Sequence, residues 1–174
     1  MWLRLWGGQC RVTFRRVLYW LSVDRMAVAV FKHPTIRGDV VAIAEGSGMR
    51  ISAHFTALPS GKHGFHIHKA GDLRGEGCKG ACEHWHVGAP CRHGGRPRKN
   101  DGRERHTGDL GNVELKGADA HYSYFLADAQ PSDLWGRALI VHADEDDLGH
   151  GPFEDSTTTG HSGARIGCAI FGRM

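Results

Sequence analysis

The chain has 174 residues and a formal charge of +3, which suits one domain with or without a tail and is too small to indicate a nucleic-acid partner. Its 25 glycines and lack of long apolar runs argue against a helical bundle or a membrane-spanning helix and for many short strands joined by turns. Five cysteines cannot all pair within one chain, and without a C-x-x-C they form neither a zinc ribbon nor a thioredoxin-type motif.

Residues 1–25 differ from the rest. Arg4, Arg11, Arg15, Arg16 and Arg25 stand against Asp24 alone, leaving the remainder close to neutral. Their longest apolar run, 17–21, is far short of a transmembrane span, and no secretory cleavage pattern is present. They read as a basic N-terminal extension: a tail, an organelle-targeting presequence, or sequence ahead of a true start at Met26. A cytoplasmic location is the expectation, with organelle targeting as the alternative.

From Met26 onward the pattern is that of strands, and 26–174 is expected to form the folded domain. Strands are expected over 26–31, 40–44, 49–57, 63–69, 113–115, 121–125, 138–142 and 166–171. In 49–57, Ile51, Ala53, Phe55 and Ala57 share one face, while Arg50, Ser52, His54 and Thr56 share the other. The tetrad Glu45-Gly46-Ser47-Gly48 marks a hairpin. About eight strands suit a sandwich or small barrel. Two long stretches, 70–110 and 143–165, break the rhythm with Gly, His and charge. Loops of that length in a compact domain are usually functional or disordered, and the potential ligands in both favour function.

Thirteen histidines are many for this length, and His is the commonest metal ligand. In 63–68, HGFHIH, the period of two places His66 and His68 on one face, where they can converge on one metal, with Phe65 and Ile67 opposite. His63 points with Phe65 and reads as a structural hydrogen-bonder. A second group comprises His84, His86, His93, His106 and Asp109, the last two in a Gly-containing turn. Three imidazoles and one carboxylate make a set that zinc accepts, and a closed set is structural rather than catalytic. His142 ends the strand 138–142.

Taken in order, HGFHIH (63–68), HGG (93–95), ERHTGDLGNV (104–113), VHADEDDLG (141–149) and STTTGHSGARIGC (156–168) resemble the Cu/Zn superoxide dismutase family across 26–174. The resemblance implies an all-β fold, an eight-stranded Greek-key sandwich or barrel with a metal-binding and an electrostatic loop. It implies one copper and one zinc per subunit, and conversion of two superoxide anions and two protons to O2 and H2O2 by Cu(II)/Cu(I) cycling. By that resemblance copper falls to His66, His68, His84 and His142, and zinc to His84, His93, His106 and Asp109. His84 is the bridge and carries a proton to the departing peroxide. His86 remains a rival for the bridge, because the family's H-F-N-P is here His84-Trp85-His86-Val87; His84 lies six residues after Cys78, which is the family's interval, and the resemblance therefore favours His84.

The resemblance also makes Asp146 the link between His66 and His93, Arg165 the active-site cation that draws in the anion, and Cys78–Cys168 a disulfide. Cys82 and Cys91 bracket His84 and form a second bridge or stay thiols; Cys10 has no assigned role. The lysines usual on the electrostatic loop are replaced near Asp144 and Thr158, while 96–103 adds cations elsewhere. Steering is therefore expected to be weaker or relocated, with Arg165 as the main local attraction. A homodimer and a copper chaperone for loading are the expected protein partners. A non-catalytic copper or zinc carrier on the same fold is the rival reading. An interaction module using the basic insertion is a weaker one, since that run mixes acids with its cations and has no aromatic residue for base stacking.

Overall fold

The computed structural model describes residues 25–88, 92–97 and 105–174. The extension before Arg25, Cys10, Cys91 and positions 98–103 of the insertion lie outside the described residues.

Nine strands occur among the described residues: β1 (Met26–Lys32), β2 (Arg37–Glu45), β3 (Gly48–Ala57), β4 (Lys62–Ile67), β5 (Asp109–Glu114), β6 (Ala120–Leu126), β7 (Ala138–His142), β8 (Arg165–Ile170) and β9 (Gly172–Arg173). They form a five-stranded sheet, β6-β3-β2-β1-β9, and a four-stranded sheet, β5-β4-β7-β8. Every pairing is antiparallel. The chain crosses from one sheet to the other after β3, β5, β6 and β8, which is Greek-key connectivity. The expected all-β sandwich is the fold observed.

Local chemistry sets these elements. Glu45 pairs with Gly48 across a two-residue turn whose Gly46 has φ 60°, a conformation glycine adopts at no steric cost. On β3, Met49, Ile51, Ala53 and Phe55 are buried, alternating with Arg50, Ser52, His54 and Thr56. Between the sheets, Phe55 meets Phe65 edge-on at 5.5 Å, and Phe31 lies 5.8 Å from Phe55. Such aromatic pairs add to the stabilisation from area burial.

The four-stranded sheet is covered on both faces at its centre, and this is what builds the site. All five residues of β7 are buried. Leu139 and Val141 join the inter-sheet core, while Ala138 and Ile140 form a second cluster with Ala81 on the outer side, packed under Leu73, Cys78 and Cys168. A 3₁₀ segment, Glu76–Ala81, carries Cys78, which is bonded to Cys168 on β8. The link clamps the long β4–β5 loop onto the sheet.

Three expectations need correction. The strand expected over 166–171 ends at Ile170: buried Phe171 marks the passage to the other sheet, where β9 pairs with β1. The strand expected from 113 starts four residues earlier: Asp109 closes the expected turn, its N–H donating to the His106 carbonyl at 3.2 Å, and also opens β5. Two four-residue helices, α1 (Pro131–Leu134) and α2 (Ser156–Thr159), were not anticipated, being too short to show a 3.6-residue period.

Candidate metal centre

β4 delivers Phe65 and Ile67 to the core and His66 to the opposite face, where the loops cover it. His68, just past β4, makes an isolated bridge with His84. His142 ends β7 on the neighbouring strand. One potential ligand atom from each of His66, His68, His84 and His142 lies within 4.8 Å of the others, and all four side chains are buried. His84, His93, His106 and Asp109 form a second such group, so His84 belongs to both. His86 is in neither; its Nδ1 faces the Thr107 backbone N–H at 3.3 Å.

The outer partners of the rings decide which nitrogens point inward. The Nδ1 of His68 faces the Cys82 carbonyl at 2.8 Å, and that of His142 faces the Gly163 carbonyl at 3.2 Å. A carbonyl only accepts, so both Nδ1 atoms carry the proton and both Nε2 atoms are lone-pair acceptors. Those two Nε2 atoms nevertheless face each other at 3.4 Å. His66 points Nε2 at Asp146 (2.9 Å), leaving Nδ1 buried without a hydrogen-bond partner. Buried acceptors converging with no donor between them are unfavourable unless a cation sits there. An all-imidazole set of this kind suits copper.

In the second group, Asp109 Oδ1 lies 2.8 Å from His84 Nδ1, 3.1 Å from His93 Nδ1 and 3.3 Å from His106 Nδ1. Ligands about 2.05 Å from a tetrahedral zinc are separated by roughly 3.3–3.4 Å, close to these spacings. The backbone N–H groups of Gly94 and His106 hold Asp109 through Oδ2 at 2.9 and 3.1 Å. Both groups therefore fit the cations they would hold.

Electrostatics divides the two halves. Burial, with neighbouring imidazoles acting in the same direction, holds His66 and His68 well below the ordinary range and His142 at about 4. Burial lowers His84 too, against the pull of Asp109. These rings are neutral, the state a metal requires. His93 goes the other way: burial opposes its charge, but hydrogen bonds to Asp109 and Asp146 outweigh it and raise His93 to about 9. Burial likewise opposes ionisation of Asp109, yet its bonds to His106, His84 and His93 keep the carboxyl ionised far below its usual range. Without metal, the pocket takes a proton where zinc would supply charge.

Asp146 joins the two groups. Its Oδ2 accepts from His66 Nε2 at 2.9 Å, and its Oδ1 accepts from His93 Nε2 and the Leu148 N–H, both at 2.8 Å. Sequence reasoning missed what positions it. The Asn112 side chain clamps the Asp146 backbone with bonds of 2.9 and 2.7 Å. Gly160, at φ +70°, leaves the space beside the Asp146–His93 bond that a Cβ would occupy. The GNV and TGHSG motifs contained both residues, but nothing local marked their task.

A cleft of about 710 Å³ opens over the first group, lined by His68, His84, His142, Thr158, Gly163 and Arg165 among others. The Arg165 guanidinium is pinned by the carbonyls of Cys78 (2.8 Å) and Cys82. Those partners neutralise none of its charge. The other lysine or arginine lining the cleft among the described residues, Lys69, is paired with Glu83. Arg96 does not line it: it donates to the Ser123 carbonyl and lies 5.0 Å over the Tyr124 ring. Cys82 is an exposed free cysteine. His63 places both ring nitrogens against backbone carbonyls, of His142, Ala143 and Pro59.

Comparison with known proteins adds a family. Residues 36–171 match the model for copper/zinc superoxide dismutase. A protein of Paramecium bursaria Chlorella virus 1 named superoxide dismutase [Cu-Zn] is 42% identical over 151 residues, covering 84% of this chain and 77% of the viral one. Superoxide dismutase [Cu-Zn] 2 of Mesembryanthemum crystallinum is 38% identical over 158 residues, covering 84% and 94%. The crystal structure of the clock protein EA4 superposes with a TM-score of 0.76 at 31% identity, covering 87% of this chain and 96% of that one.

Proposed function

This chain belongs to the copper/zinc superoxide dismutase family, and from that premise we propose how its own residues divide the work of superoxide dismutation. The reaction converts two superoxide anions and two protons to O2 and H2O2. Copper, when bound, supplies one-electron exchange between Cu(II) and Cu(I), while zinc supplies fixed charge without changing valence. His66, His68, His84 and His142 hold copper, and His84, His93, His106 and Asp109 hold zinc. The observation that carries this reading is the set of inward-facing nitrogens with no donor among them: His66 Nδ1, His68 Nε2 and His142 Nε2.

Arg165 attracts and orients the anion at the cleft, because its guanidinium is held by carbonyls and keeps its full charge. His84 has Nδ1 committed to the Asp109 side, so Nε2 is the atom that would face copper, and the one that would hold a proton for the product whenever it is not a metal ligand. Asp146 fixes the rings of His66 and His93 by accepting from their far nitrogens. Metal analysis with a superoxide-consumption assay tests the assignment. The copper- and zinc-loaded protein is expected to be active, and His142→Ala to lose copper and activity together while keeping zinc. Full activity after copper removal would overturn it.

A homodimer and chaperone-assisted copper loading are proposed by likeness to the family; light scattering on the loaded protein reads the first. The boundary at Met26 and a cytoplasmic setting are likewise proposals. A reporter fused after residues 1–25 is expected to stay diffuse in the cytoplasm, and concentration in an organelle would reassign the segment as a presequence.

A further inference from the structure

The outer face of the five-stranded sheet carries a second kind of metal-ligating cluster. His54 faces outward on β3, between the buried Ala53 and Phe55. Its register partner on β6 is His121, and its partner on β2 is Asp39. The two imidazoles stack, with centroids 4.4 Å apart and planes 7° from parallel. Asp119, just before β6, places Oδ2 3.2 Å from His121 Nε2 and 3.7 Å from His54 Nε2.

Two ring nitrogens and one carboxylate oxygen lie within 4.8 Å of one another; because the rings are nearly parallel, one of these partly exposed rings must turn about its Cβ–Cγ bond to aim both Nε2 lone pairs at one ion. The measured separations bracket the roughly 3.3–3.4 Å edge of a tetrahedral zinc site. On the far side of the His54 ring, Asp39 Oδ1 lies 3.6 Å from Nδ1. Once a cation occupies the Asp119 side, the Asp39 charge favours the tautomer with the proton on Nδ1, which leaves the Nε2 lone pair for the metal; carboxylates beside ligating histidines commonly act this way. Without an ion, His121 Nε2 donates to Asp119 at 3.2 Å, and His54 Nε2, 3.7 Å from the same oxygen, is too distant for a hydrogen bond. A shared divalent ion would replace that single bond with ligation by all three groups.

We propose that His54, His121 and Asp119 form a third metal site, taking a borderline divalent ion such as zinc or copper(II), with water completing the shell and Asp39 positioning His54. Imidazole with carboxylate selects this class over calcium or magnesium, which take oxygen ligands. With three protein ligands and an exposed carboxylate, it binds less tightly than the buried pair of groups.

The test uses the full chain with copper and zinc already loaded and excess metal removed. Zinc alone is then titrated by calorimetry. The parent is expected to take up one further equivalent per chain, and the His54→Asn/His121→Asn variant none, with the same superoxide consumption in both and a rise in melting temperature on adding zinc in the parent alone. Asp39→Asn is expected to retain the equivalent with about 10-fold weaker affinity. A parent that takes up nothing further, or a double variant that binds as the parent does, overturns the proposal.

Discussion

Replacing Asp146 by Asn keeps the shape of the side chain and exchanges one acceptor for a donor, so its effect can be worked out atom by atom. The carboxylate is 1% exposed, and no solvent is at hand to repair a mismatch. Oδ1 receives two N–H groups, from His93 and Leu148, whereas Oδ2 receives only His66 Nε2. A main-chain N–H cannot reverse its polarity, so the Asn oxygen must stay at the Oδ1 position and the amide nitrogen must face His66. Donor then meets donor at about the 2.9 Å now separating Oδ2 from Nε2. His66 escapes by moving its proton to Nδ1, the atom that otherwise points inward without a partner.

Loss of such an outer partner costs about 10–100-fold in metal affinity, or about 1.4–2.7 kcal/mol. The loss should fall on copper, because His93 keeps its acceptor. Competition with chelators, run separately for copper and zinc, is the assay, with the copper visible spectrum as a second readout. Copper affinity is expected to drop by the full factor and zinc affinity by less than 10-fold. A larger loss for zinc than for copper, or unchanged affinity for both, would refute the tautomer argument.

Gly160→Ala should drive a methyl into the Asp146–His93 bond at a left-handed φ, destabilising the protein by about 1–3 kcal/mol; an unaltered melting temperature would contradict that packing. In the metal-free protein, His93 titrates at about 9 against roughly 6.5 when unfolded. Because the folded value is raised, its stabilisation is full below about pH 6.5 and is lost as pH rises through about 9, amounting to about 3 kcal/mol. Melting temperatures of the metal-free protein between pH 6 and 10 check the sign, and zinc titrated near pH 7.5 should release this proton, which calorimetry in buffers of different ionisation enthalpy reads directly. Removing the 90-residue link with Cys78→Ser/Cys168→Ser should cost up to about 4–5 kcal/mol on chain entropy. It should also lower kcat/KM by loosening the Cys78 and Cys82 carbonyls that hold Arg165; preserved stability and kcat/KM would argue against the clamp.

What the residues announced by themselves was local. A period of two puts His66, on β4, and His68, just past its end, on one side and Phe65 on the other, and the apolar run 138–142 ends where β7 does, at His142. Alternation depends only on neighbours along the chain, so one sequence suffices to see it. The ordered motifs carried further than spacing could, since family resemblance was what paired Cys78 with Cys168 and separated His84 from His86. The three-dimensional arrangement decided the rest. Asn112, Leu148 and Gly160 matter only because two loops converge on one buried carboxylate, and β9 exists because Phe171 turns the chain toward a strand more than a hundred residues earlier. His54 and His121 are 67 positions apart and face each other only through the β3–β6 register. Non-local pairing of this kind leaves no periodic mark in a single sequence, which is why the chemistry of the buried centre was largely legible and the way it is held in place was not.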